Sequence, residues 1–254
     1  MTPTAQNNHG KKSPVTTAMI LAAGRGSRLA PLTDDIPKPL LEVHGHPLIV
    51  HQLQWLKRAG IERVVINLFH LGNDIRQTLG DGSHFGLQIA YSEEPALLET
   101  GGGIAHARKL LGEDPFILLN GDIWTDFDFR TLPPSLPANI DAHLVAIPTP
   151  ESRATGDFEF QHHRLWHPAK VERRNYVYCG ISLMRARFLD KQVRDKQVRD
   201  THKGGGPPAA FSTAPLLFLA AQRGELGGQH FSGVWRDIGT LDQLISVREG
   251  SPLP

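Results

Sequence analysis

Four side chains of the sequence are suited to chemistry on phosphates: Asp122, Asp237, Arg28 and Lys38. Asp122 follows an apolar run at 116–119 that is typical of a buried strand, and Asp237 lies just before a predicted helix. Mg²⁺ takes hard oxygen ligands and is usually held by one or two carboxylates together with substrate phosphates. The cations could stabilise charge on a reacting phosphate. The pattern indicates phosphate chemistry at a Mg²⁺ site formed by Asp122 and Asp237, with an Asn-Gly-Asp turn as the structural alternative.

A second candidate feature is the glycine loop that begins at Ala23, the last of the apolar residues 18–23. It contains Ala23, Gly24, Arg25 and Gly26. Glycines let backbone N–H groups approach phosphates, and a set of such donors forms an anion-binding nest. The loop lacks the third glycine of a dinucleotide-binding motif and the lysine of a P-loop. It therefore predicts a nucleoside triphosphate site of another type, with a tight turn beside a surface lysine as the alternative.

The elements that must position these residues alternate between strands and helices. Apolar runs predict strands at 63–67 and 87–91, and the periodicity predicts a helix at 72–79. This alternation favours a doubly wound, mostly parallel sheet, in which ligands bind beyond the carboxyl ends of the strands. Residues 158–183 are expected to form antiparallel strands that cover one side of that sheet. Thr240 and Gln243 have the spacing of a capping box, so a helix should begin after residue 239.

Composition narrows the class of protein. The 254 residues include 27 basic and 26 acidic side chains, so the formal charge of +1 gives no reason to expect a nucleic acid or an acidic membrane as partner. One cysteine, Cys179, excludes an internal disulfide framework. No apolar run is long enough to cross a membrane, and the first residues lack the apolar core of a signal peptide. We expect a cytoplasmic, monomeric protein with a disordered leader at 1–17 and one domain at 18–250.

Several stretches together resemble the sugar-1-phosphate nucleotidyltransferases over residues 18–247: LAAGRGSRLAPLT, PKPLL, LETGGGI, FILLNGDIWTDFDF and W-x-D-x-GT. The resemblance implies an α/β, Rossmann-like fold of the GT-A type with a small antiparallel sugar-binding region. It implies that the glycine loop and its arginine hold a triphosphate, that Lys38 meets the phosphates, and that Gly101 and Gly102 line the nucleoside pocket. It also implies a substrate-binding role for Asn120, Asp157 and Gly180.

The function implied by this resemblance is transfer of UMP from UTP to a sugar 1-phosphate. The expected acceptor is N-acetylmuramate α-1-phosphate of peptidoglycan recycling. GTP with mannose 1-phosphate, or a nucleotide with glucose 1-phosphate, remain alternatives, as does a nucleotide-sugar sensor without catalysis. The chain departs from the pattern at Ser212, where similar uridylyltransferases tend to carry a lysine, and this departure weakens the inference about the acidic sugar.

Overall fold

The computed structural model describes residues 15–151, 153–167, 174–193 and 210–253. Most of the predicted leader therefore lies outside the described residues, and its last residue, Thr17, is the first residue of the first strand. The strands are β1 (Thr17–Leu21), β2 (Glu42–Val43), β3 (His46–Pro47), β4 (Arg63–Leu68), β5 (Gln88–Glu93), β6 (Phe116–Asn120), β7 (Ile123–Thr125), β8 (Ala142–Pro148), β9 (Glu159–Gln161), β10 (Arg164–Trp166), β11 (Tyr176–Met184), β12 (Leu226–His230) and β13 (Trp235–Asp237). The α-helices are α1 (Leu32–Asp35), α2 (Leu48–Arg58), α3 (Gly72–Leu79), α4 (Glu99–His106), α5 (Arg108–Leu111), α6 (Arg187–Val193), α7 (Ala214–Gln222) and α8 (Leu241–Glu249).

One nine-stranded sheet organises the fold, in the order β5-β4-β1-β6-β11-β8-β12-β10-β9. The first four of these strands are parallel to one another, and over the whole sheet only β10 and β11 oppose the common direction. The predicted mostly parallel sheet flanked by helices is confirmed. The carboxyl ends of β1, β4, β5 and β6 consequently meet at one edge, where the loops after them can form a single site.

Helices cover both faces of the sheet. Along β1 the side chains of Ala18 and Ile20 pack into the core on the α2 and α8 side, while that of Met19 packs into the opposite core beneath α4 and α7. This alternation follows from the two-residue period of a strand. Burial on both faces explains why β1 and β6 read as continuous apolar runs rather than alternating ones.

The antiparallel part of the fold differs from expectation. The strand at 176–184, predicted to belong to a cover over the sheet, is β11, and it lies inside the main sheet between β6 and β8. Its central and last residues are buried on both faces, so its apolar side chains require a central position. The short strands β9 and β10 extend the edge of the same sheet. Within the described residues, no helix has the length and apolarity required to span a membrane.

Candidate active site

Asp122 and Lys38 are in direct contact at the carboxyl edge of the sheet. Gly121 N–H donates to the Leu21 carbonyl at 2.9 Å, which joins the loops that follow β6 and β1. This bond brings Asp122 to the Lys38 segment, where Lys38 Nζ donates to Asp122 Oδ2 at 2.7 Å. Such partly exposed ion pairs add little to stability. The pair is better understood as an ammonium group and a carboxylate placed together at a binding site.

Asp237 reaches the same place through a two-stranded ribbon. β13 pairs with β7 so that Asp237 lies opposite Ile123, and Ile238 N–H donates to the Asp122 carbonyl at 2.9 Å. Asp122, in the turn just before β7, therefore lies next to the residue that pairs with Asp237. Both line one cleft of about 750 Å³.

The predicted capping box at the start of α8 is present and has a second use. Gln243 Oε1 accepts from Gly239 N–H at 2.9 Å, and Thr240 Oγ1 accepts from Gln243 N–H at 3.4 Å. The other end of the Gln243 amide, Nε2, donates to Asp237 Oδ1 at 2.9 Å. The helix cap thus fixes the orientation of a candidate metal ligand, which the capping pattern alone did not indicate.

The two arginines of the glycine loop point to different places. A methyl group on Gly239 would stand 2.8 Å from Arg28 Nη2, so the Arg28 guanidinium lies against the turn that follows Asp237. The Arg25 guanidinium lies instead above the Phe69 ring, 5.9 Å from its centroid, and Arg25 is not among the residues of the cavity wall described below. Gly26 has φ +66°, and a side chain there would press on Lys38. The structure therefore places Arg28, but not Arg25, against the turn that follows Asp237, and neither arginine lines the cavity or the cleft.

A cavity of about 200 Å³ runs along the ends of β6, β1, β4 and β5. Its wall includes the predicted Ala23, Gly24 and Lys38, together with Leu21, Ala22, Pro39, Asn67, Glu94, Leu97, Glu99, Thr100, Asn120, Gly121 and Asp122. Apolar and polar groups both line this cavity, and the Asp122 carboxylate is part of its wall.

Gly101 and Gly102, which the resemblance places in the nucleoside pocket, are not among the residues of this cavity wall. Both glycines are buried in the first turns of α4, and their N–H groups donate to the Phe211 carbonyl at 2.8 Å and 3.1 Å. A side chain on Gly101 would overlap the Phe211 ring. These glycines let the segment before α7 pack on α4, and it is the residues before them, Glu99 and Thr100, that face the cavity.

A series of buried hydrogen bonds, which the sequence did not reveal, connects residues of the cavity wall. Ala22 N–H donates to Asn67 Oδ1 at 2.7 Å, Asn67 Nδ2 donates to Glu94 Oε1 at 2.7 Å, and Glu94 Oε2 accepts from Leu98 N–H at 3.0 Å. These bonds join the ends of β1, β4 and β5. A second buried amide, Gln52 on α2, donates to the carbonyls of residues 120 and 123 and so holds the loop that carries Asp122.

The larger cleft contains the predicted acceptor residues Asn120 and Gly180. Gly180 interrupts the pairing of β11 with β8, has φ +81°, and faces Asn120 so closely that a methyl group would stand 2.9 Å from Asn120 Nδ2. Asp157 does not line the cleft. Its carboxylate accepts two bonds from Arg153, at 2.9 Å and 3.3 Å, and it is Arg153 that lies on the wall. The structure therefore places Arg153, and not Asp157, on the wall of this cleft.

Comparison with known proteins gives this geometry a family. Residues 17–157 match the family model described as Nucleotidyl transferase. Over 231 residues, 89% of this chain and 94% of the relative, the sequence is 41% identical to N-acetylmuramate alpha-1-phosphate uridylyltransferase of Neisseria meningitidis. The chain belongs to the nucleotidyl transferase family. It is a sugar-1-phosphate nucleotidyltransferase, and the resemblance recognised in the sequence is confirmed at that level.

Two further proteins resemble this chain, one in sequence and one in structure. The chain is 37% identical over 233 residues to mannose-1-phosphate guanylyltransferase of Mycobacterium tuberculosis, covering 90% of this chain but 62% of that protein. Among solved structures, a putative glucose-1-phosphate thymidylyltransferase from Bacillus anthracis superposes with a TM-score of 0.74 at 21% identity, covering 91% of this chain and 94% of the other. The second comparison shows a shared fold.

Proposed function

We propose that this nucleotidyltransferase is a cytoplasmic enzyme that transfers UMP from UTP to N-acetylmuramate α-1-phosphate, giving UDP-N-acetylmuramate and pyrophosphate in peptidoglycan recycling. The observation that carries the choice of substrates is the likeness to the Neisseria uridylyltransferase, which extends over 94% of that relative. The guanylyltransferase named above is matched over 62% of its length. The arrangement of the site supports the reaction class independently of these names.

In the proposed reaction a phosphate oxygen of the sugar 1-phosphate attacks the α-phosphorus of UTP. A new P–O bond forms as the bond to the β-phosphate oxygen breaks, and pyrophosphate leaves with the electron pair. The attacking phosphate is already anionic at neutral pH, so the chain needs to supply no nucleophile and no general base. Its contribution is to position the two substrates and to stabilise charge on the phosphates.

The basic residues suit the charged steps. Lys38, already at the carboxylate end of the nucleotide cavity, would contact the triphosphate, and Arg28 beside the Asp237 turn would neutralise charge on the reacting and departing phosphates. The backbone N–H groups of the loop at residues 23–26 would add donors. On the acceptor side Asn120, Gly180 and Arg153 would hold the sugar 1-phosphate.

The donor set at Asp122 and Asp237 fits Mg²⁺. Both side chains offer hard carboxylate oxygens, one from the turn before β7 and one from β13, and within the described residues no third histidine, cysteine or acidic side chain joins them to form a closed metal cage. A pair of carboxylates that leaves positions for phosphate oxygens is the usual Mg²⁺ arrangement at phosphoryl-transfer sites. When bound, Mg²⁺ would draw the phosphates together and withdraw charge from them.

Ser212 contacts the α7 backbone, where its Oγ accepts from Ala214 N–H at 3.2 Å. This chain would therefore hold an acidic sugar without a lysine at that position.

The proposal is tested by pyrophosphate release in a grid of nucleoside triphosphates against the 1-phosphates of N-acetylmuramate, N-acetylglucosamine, mannose and glucose. We expect the largest kcat/KM with UTP and N-acetylmuramate 1-phosphate. A preference for GTP with mannose 1-phosphate would overturn the substrates while keeping the reaction class. No release with any pair, from protein that binds nucleotide, would favour a sensor.

A further inference from the structure

Glu99 has an unusual backbone conformation at the edge of the nucleotide cavity. It is the first residue of α4, and its φ of +58° lies in the left-handed region that glycine occupies readily and other residues avoid. A non-glycine residue in this region costs free energy and persists where its surroundings fix it, most often at functional sites. Strain alone is not evidence of a role, but it identifies Glu99 as a residue whose side chain needs an explanation.

The surroundings of Glu99 fix its backbone from both sides. The preceding residue, Leu98, donates its N–H to Glu94 at 3.0 Å. The following residue, Thr100, has its hydroxyl within 3.1 Å of the Thr213 hydroxyl and accepts from Thr213 N–H at 2.9 Å. The conformation of residue 99 is therefore imposed by the fold, and a glycine would satisfy it at lower cost.

The Glu99 side chain, by contrast, makes no polar interaction with another described residue. Among the hydrogen bonds and ion pairs of the described residues, none uses its carboxylate, although the neighbouring polar groups of Glu94 and Thr100 are both engaged. The side chain is exposed and lies on the cavity wall. A carboxylate can only accept hydrogen bonds, so a ligand that uses it must present donors.

The position of Glu99 identifies which part of a nucleotide could present those donors. The cavity extends from Asp122, after β6, past β1 and β4 to Glu94 at the end of β5 and Glu99 beyond it. Three strand spacings give this groove a length of about 14 Å. The phosphates belong at the Lys38 end, because Lys38 supplies a cation there, whereas the charged side chains at the other end, Glu94 and Glu99, are both carboxylates. The nucleoside consequently lies at the Glu99 end.

We propose that Glu99 is a specificity-determining residue whose carboxylate accepts hydrogen bonds from donor groups of the nucleoside. The donors are the imide N–H of the base or the ribose hydroxyls, and both present the same chemistry to a carboxylate. This inference rests on the proposed function, since it requires a nucleoside triphosphate in the cavity. It explains why a strained glutamate occupies a position that the backbone would give to glycine.

The test uses the purified full chain and the variants Glu99→Gly and Glu99→Gln. Glycine relieves the strain and removes the carboxylate, so we expect Tm to rise by about 2–4 °C while KM for the nucleotide rises roughly tenfold or more and kcat changes little. Glutamine keeps an acceptor oxygen without the charge and should raise KM less. The matched control is His162→Gly, which relieves a similar conformation (φ +50°) in the exposed turn between β9 and β10 and should leave KM unchanged.

Two nucleotide comparisons separate the possible donors. If Glu99 contacts the ribose, the preference of the wild type for UTP over 2′-deoxy-UTP will shrink in Glu99→Gly; if it contacts the base, the preference for UTP over CTP will shrink. A Glu99→Gly variant with unchanged KM and both preferences intact would overturn the proposal while leaving the proposed function in place. A wild type that neither binds nor uses any nucleoside triphosphate would overturn both.

Discussion

The contact between Gln243 and Asp237 makes the cap of α8 part of the candidate active site. This can be tested with substitutions that remove either the contact with Asp237 or the helix cap. Gln243 Oε1 accepts from Gly239 N–H, which serves the helix, and Nε2 donates to Asp237 Oδ1, which serves the carboxylate. The substitution Gln243→Glu would keep the acceptor and lose the donor. Thr240→Ala would weaken the cap and leave the contact with Asp237 in place.

The magnitudes follow from the bonds that each variant loses. Gln243→Ala removes the bonds that Oε1 accepts from Gly239 N–H and from the Thr240 hydroxyl, and the bond from Nε2 to a carboxylate, all in a part-buried setting, about 2 kcal/mol in total. For a domain of this size the expected loss in Tm is about 4–8 °C. Thr240→Ala should cost about 1 kcal/mol, since it removes a helix cap. For activity, loss of a group that orients a metal ligand typically costs tenfold to a hundredfold.

The assay is pyrophosphate release at saturating Mg²⁺ together with thermal unfolding of each variant. We expect Gln243→Glu to stay within about 1 kcal/mol of wild-type stability and to lose tenfold or more in kcat, because a second carboxylate faces Asp237. Thr240→Ala should lose stability and keep its activity. If Thr240→Ala lost as much activity as Gln243→Ala, or if both Gln243 variants stayed within twofold of wild type, Asp237 would not depend on this contact for its orientation.

Two predictions concern the titrating groups. Burial raises the pKa of the Cys179 thiol to about 12, so the native protein at pH 7.5 should resist 5,5′-dithiobis(2-nitrobenzoate) and react fully once unfolded in guanidinium; rapid labelling of the native chain would contradict this burial. Burial, with smaller contributions from nearby histidines and Arg58, lowers the pKa of His51 below its usual 6.5. The unfolded chain therefore binds more protons, and Tm should fall as pH is lowered through 6.5 towards the folded-state pKa. His51→Gln, but not the exposed His84→Gln, should flatten this dependence, and equal curves for the two variants would count against the assignment.

The features predicted correctly from the sequence have local causes. Residues 116–119 are buried on both sheet faces, so their uniform apolarity marks a central strand and places Asp122 at its carboxyl end. The capping box at Thr240 is a contact between residues three apart, which spacing alone can reveal. The strand–helix alternation up to residue 93 likewise depends on periodicity within each segment.

The features that were missed depend on pairing between distant segments. Glu94 meets Asn67 across 27 residues, and Gln52 reaches the carbonyl of residue 120 across 68 residues. Nothing in the local sequence pattern distinguishes the buried Asn67, Glu94 and Gln52 from polar residues on the surface. The packing of Gly101 has the same origin, because the Phe211 carbonyl that accepts its N–H comes from a segment more than a hundred residues away. A glycine that admits protein backbone looks, in the sequence, like one that admits a ligand.

The measurement that tests the central claim most directly is the Mg²⁺ dependence of pyrophosphate release for wild type, Asp122→Asn and the matched control Asp242→Asn. Asp242 is an exposed residue of α8 that lies outside the walls of both the cavity and the cleft. If Asp122 is a metal ligand at the reacting phosphates, we expect Asp122→Asn to lose at least a hundredfold in kcat/KM, to require more Mg²⁺, and to unfold near the wild-type temperature, while Asp242→Asn behaves as wild type. Near-normal activity of folded Asp122→Asn at the wild-type Mg²⁺ requirement would contradict the assignment of the metal site.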